Sequence, residues 1–105
     1  MTKYIIPVSV KKRLEALGRL ISAARRARGF TQTQLAERAG TSRPTINRLE
    51  SGHPNIVWGT VMTVCWLLDI PTDPELMDPV RRAELLASAD DIQRARGLKE
   101  LSDDF

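Results

Sequence analysis

From Ser9 to Arg28, apolar residues recur at Val10, Leu14, Leu17, Ile21 and Ala24. Steps of three and four place them on one face of a helix, and Gly29 supplies its stop. Gly18 sits inside that helix as a weak spot. A second, shorter period follows in FTQTQLAERAG (30–40), with Leu35, Ala36 and Ala39 as the apolar side. Thr31 and Gln34 have the spacing of a capping box, and Phe30 precedes the cap as a staple for Leu35. Gly40 ends this helix.

A third helix lies in AGTSRPTINRLESG (39–52). Ser42 can cap it, Pro44 costs little near its start, and Gly52 closes it. The most apolar run, IVWGTVMTVCWLLDI (56–70), follows an HPN turn. Trp58, Val61, Val64, Cys65 and Leu68 share one helical face there, with Met62 beside it. The run reads as a buried helix, because Gly59 and the 3–4 spacing argue against a strand. PTDPELMDP (71–79) is a linker or turn. Asp78–Pro79 then opens a fifth helix with Leu85 and Leu86 as anchors. That helix can extend past Asp91, break at Gly97 and finish as an acidic tail. At the other end, Tyr4–Ile6 is β-prone, Pro7 interrupts it, and the segment reads as an arm or a flexible end.

Composition sharpens the helical reading. Only Tyr4, Phe30, Trp58, Trp66 and Phe105 are aromatic, and the many Leu, Ala and Arg favour helices over strands. The net charge of +3 hides an asymmetry. Residues 1–56 carry eleven Lys/Arg and three Asp/Glu, a net of +8, and residues 57–105 carry five and ten, a net of −5. A basic front half is the footprint of a polyanion partner, and the acidic back half must face elsewhere. One cysteine, Cys65, precludes an intrachain disulfide and suits a reducing cytoplasm. No apolar run approaches the roughly 20 residues of a membrane span, and the start lacks the stretch of a secretory signal. A cytoplasmic protein without membrane association is expected.

The third helix is the informative one. At about 100° per residue, Ile46 and Leu49 lie close together on the helix, and Arg43, Pro44, Asn47 and Arg48 spread over the other side. Such a helix buries a narrow seam and presents a polar ridge. Arginine suits bidentate bonds to guanine and asparagine suits adenine. The short helix before it, the AGTS turn and the glycine after it reproduce a helix–turn–helix.

LGRLISAARRARGFTQTQLAERAGTSRPTINRLESG resembles the Xre-type helix–turn–helix domain of lambdoid phage repressors, from about Leu17 to Ile70. The words TQTQLAERAG, TINRLESG and LLDI carry the likeness. The resemblance implies an all-α, five-helix lambda-repressor-like fold, with the helix–turn–helix DNA-binding domain over 11–72. An N-terminal arm (1–10) would precede it, and a C-terminal extension with a helix and acidic tail (73–105) would follow.

The resemblance also implies roles. Gln32 matches a position that bonds a DNA phosphate, where the helix N-terminus adds amide dipoles. Ser42, Arg43, Pro44 and Arg48 match groove-facing positions, with Asn47 beside them. Pro44 departs from the longer polar residue usual there and offers only apolar contact. Arg25 and Glu50 match an ion pair joining the first helix to the end of the third. Arg26, Arg28, Arg38, His53 and Asn55 are further candidates for phosphate contact, although each taken singly reads as a solvated residue.

No enzymatic motif, metal-ligand cluster or cofactor loop is visible, and a lone histidine, His53, gives no triad. The expected partners are a double-stranded DNA operator and a second copy of the chain. Trp66, Leu67, Leu85 and Leu86 are the candidate dimer interface, with Trp66 alternatively a cover for the C-terminal helix. The tail resembles that of the small antitoxins of Hip-type toxin–antitoxin modules, whose toxin is a kinase. The chain is therefore expected to be a dimeric transcriptional repressor, either as antitoxin and autorepressor of a Hip-type operon or as a freestanding phage or host regulator. An interaction module that has lost DNA binding is a third class, and retained Arg43 and Arg48 argue against it.

Overall fold

The computed structural model describes residues 5–73 and 77–103, and these form five helices and no strand. They are α1 (Val8–Ala27), α2 (Gln32–Ala39), α3 (Arg43–Glu50), α4 (Trp58–Leu67) and α5 (Pro79–Asp103). The chain divides into two compact units, Met1–Pro71 and Thr72–Phe105. Among the described residues no helix is long and apolar enough to cross a membrane.

The first unit holds α1–α4. Ile21 of α1, Leu35 and Ala36 of α2, Ile46 and Leu49 of α3, and Val61, Val64, Cys65, Leu68 and Ile70 in and after α4 form its core. Leu17, Ala24, Phe30, Ala39, Ile56 and Leu67 pack around them. The local punctuation follows the sequence. Thr31 accepts from the Gln34 backbone N–H while the Gln34 side chain accepts from Thr31 N–H, closing the capping box. Gly40, left-handed at φ 69°, ends α2.

Several positions differ from expectation. α1 begins at Val8, one residue before the Ser9 start that the spacing predicts, and Val10 is exposed, two turns before Leu17, where α1 first packs on the core. Ile5–Pro7 form no strand, and Tyr4 lies outside the described residues. Trp58 is exposed and only rims an apolar recess of about 170 Å³ between α1, the end of α3 and α4. The second unit is built on α5. Gly97 does not break that helix, which runs to Asp103. The roughly 1 kcal/mol that glycine costs in a helix is too little to interrupt one of this length. Leu85 and Leu86, expected as anchors, are both exposed.

Gly18 is a contact point and not a weak spot. A β-carbon there would lie 2.8 Å from the Leu49 carbonyl oxygen and closer still to that of Glu50. Those are backbone atoms at the end of α3 and cannot swing aside. Gly52, at φ 80°, makes a second close approach, with Glu15 Cα 2.8 Å from where its β-carbon would be. Two glycines thus let α1 and the end of α3 meet backbone to backbone. Alanine at 18 would gain up to about 1 kcal/mol in helix propensity, but overpacking costs about 1–3 kcal/mol. With backbone as the obstacle the clash wins, and Gly18→Ala is expected to lower stability by about 1–2 kcal/mol in urea unfolding.

Candidate nucleic-acid interface

The site is the outer face of α3 and what surrounds it. α3 is short and buries only Ile46 and Leu49. Ser42 caps it by accepting from the Thr45 N–H at 3.3 Å. With the seam fixed against α1 and α2, the remaining directions are outward. Arg43, Pro44, Asn47 and Arg48 are all exposed. The expected ridge therefore exists, two arginines with an asparagine and a proline between them.

Other members of the expected set are engaged within the chain. The Ser42 hydroxyl lies 2.9 Å from the Thr45 hydroxyl as well as capping the helix. Thr45 was not among the expected site residues. Its oxygen accepts from Arg48 Nη2 at 3.4 Å and so links the cap to the ridge. Its position three residues after Ser42 and three before Arg48 was the available signal. Arg38 stacks on the Phe30 ring, 4.4 Å from its centroid, a cation–π contact that orients it. Arg26 and Arg28 are exposed near the end of α1. His53 and Asn55 are exposed after α3, where His53 Nδ1 accepts from Asn55 N–H at 3.0 Å.

Beneath the ridge lies a charged network. Arg25 Nε donates to Glu50 Oε2 at 2.7 Å and its Nη2 to Oε1 at 3.1 Å, a bidentate pair. The two side chains are 10% and 7% exposed. Arg25 Nη1 also donates to the Phe30 carbonyl at 2.7 Å, tying down the entry to α2. Gln32 Nε2 donates to Glu50 Oε1 and to Asn47 Oδ1, each at 3.3 Å. Burial alone would raise the Glu50 pKa, but hydrogen bonds from Arg25 and Gln32 and the Arg25 charge outweigh it and hold the carboxyl below its ordinary value of 4.5. A depressed folded-state value means that the carboxylate's contribution is complete above pH 4.5 and is lost as pH falls through the folded value. Stability is therefore expected to drop on acidification below pH 4.5, and the drop should be smaller in Glu50→Ala, as urea midpoints across pH would record.

Of the candidate dimer residues, Trp66 is 78% exposed on α4, whereas Leu67 packs partly against the core. Leu85 and Leu86 are exposed on α5. Cys65 is fully buried and burial pushes its thiol pKa up, which makes it an inert core residue.

The arrangement offers hydrogen-bond donors on a convex rod, with no carboxylate on its exposed ridge. A family model described as "Helix-turn-helix domain" matches residues 16–79. No curated protein matches the chain.

Proposed function

Because this chain belongs to the helix-turn-helix domain family, a DNA-binding class of transcription regulators, we propose that it is a sequence-specific repressor that binds its operator as a dimer. The observation that carries the reading is the ridge of α3: Arg43, Asn47 and Arg48 exposed over a buried Ile46–Leu49 seam. A helix of that width enters the major groove, where arginine reads guanine and asparagine reads adenine. Arg26, Arg28, Arg38, His53 and Asn55 supply phosphate contacts around it, as do the first-turn amides of α2 at Gln32 and Thr33. An electrophoretic mobility shift on the DNA upstream of its own gene tests this. A shift that weakens steeply with salt is expected; no shift at low salt overturns the reading.

The dimer reading rests on exposed apolar residues on α4 and α5. Trp58 and Trp66 lie on α4, eight residues apart, and Leu85, Leu86 and Ile92 lie on α5. Two-fold pairing would place two α3 helices in successive major grooves about 34 Å apart. Sedimentation at micromolar concentration is expected to give twice the monomer mass of 11.8 kDa; a monomer would count against it.

Within this reading the chain is the antitoxin and autorepressor of a Hip-type toxin–antitoxin operon, with the acidic, apolar-striped C-terminal unit as the contact for a toxin kinase. Co-purification with the neighbouring gene's product, lost on deletion of residues 72–105, is the expected result. Without such a complex, the freestanding-repressor reading stands in its place.

A further inference from the structure

We infer that Gln32 is a positioning residue for base readout: it fixes the amide of Asn47 so that α3 offers a donor, Nδ2, to the groove. This rests on the DNA-binding reading above and assigns Gln32 a job other than donating to a phosphate. Polarity passes along a chain of groups. Arg25 holds Glu50 with two hydrogen bonds, and its charge helps keep the carboxyl ionised. An ionised carboxylate can only accept. The Gln32 atom facing it at 3.3 Å must therefore be the amide nitrogen. That nitrogen has two hydrogens, and the second meets Asn47 at 3.3 Å. The Asn47 atom there must accept, so it is Oδ1, and Nδ2 is left pointing away.

The orientation of both amides thus follows from the charge on Glu50. Two consequences follow for recognition. The Gln32 side chain has spent both its donors inside the protein and presents only an acceptor outward, which a phosphate oxygen does not bond. Asn47 has one amide atom tied back to α2, so it meets a base through Nδ2. A donor is satisfied by guanine N7 or O6, adenine N7 or thymine O4, and is opposed by the N4 amino group of cytosine. The base facing Asn47 is selected chiefly against cytosine.

The experiment enriches randomised duplexes with the full chain and then titrates single-base variants of the enriched site. Wild type, Gln32→Ala, Asn47→Ala and the double variant are compared. Wild type is expected to reject cytosine about tenfold at one position per half-site. In Gln32→Ala the Asn47 amide can turn over and accept from cytosine N4, and the rejection is expected to fall to about twofold. The double variant should resemble Asn47→Ala. The readout is a ratio between duplexes, so a general loss of affinity cancels. If Gln32→Ala keeps the tenfold ratio, or Asn47→Ala alters no position, the inference is overturned while the DNA-binding reading survives. If wild type enriches no sequence, the sequence-specific reading fails, and this inference with it.

Discussion

Glu50→Ala is expected to lose about 3–5 kcal/mol of stability, several times what removal of an exposed carboxylate would cost. The magnitude comes from what is left behind. Arg25 would keep its bond to the Phe30 carbonyl but remain charged, nine-tenths buried and without its counter-ion. Gln32 would lose one acceptor, and the end of α3 would lose its tie to α1. Small domains have roughly 5–15 kcal/mol in total, so the variant should be largely unfolded at moderate urea. Replacing both partners by apolar residues, as in Arg25→Met with Glu50→Leu, removes the stranded charge and should recover much of the loss. The exposed pair Arg81–Glu84, at 3.8 Å, provides the contrast; Glu84→Ala should cost less than about 1 kcal/mol. Far-UV circular dichroism is the suitable probe, because Trp58 and Trp66 are already exposed in the folded chain.

The second large effect concerns binding. Arg43 and Arg48 are exposed on α3, and neither takes part in the core. Each, if it reaches a guanine edge, contributes about 1–3 kcal/mol of discrimination. Two such contacts separated by more than a turn of helix should act nearly independently. Arg43→Ala with Arg48→Ala is thus expected to weaken binding to the enriched site by about 2–6 kcal/mol, which is at least about thirtyfold. Arg48 also donates to Thr45, so the cap at Ser42 keeps its own bonds when Arg48 is removed. Stability should therefore change little, which separates this loss from unfolding.

The helices were legible because their signals are local. The 3–4 spacing around Ile21, the Thr31–Gln34 box and the Ser42 cap each depend on residues within one or two turns. What sequence could not reveal depends on the partner across the gap. Gly18 looked weak because propensity counts only its own helix, whereas the Glu50 and Leu49 carbonyls that require it belong to another. Trp58 and Val10 have the right angular positions, but each sits in the first turn of its helix, above the level that the core reaches. The ridge of α3 was legible from angles alone. The link from Gln32 to Asn47 was not, since 15 residues and a turn separate them.

That α3 turns its arginine-bearing side to a DNA groove is tested most directly by titrating the enriched duplex with wild type and with the chain carrying both Arg43→Ala and Arg48→Ala, followed by fluorescence anisotropy at fixed salt. A loss of at least about thirtyfold at unchanged melting temperature is predicted. Equal affinity of the two chains would contradict it.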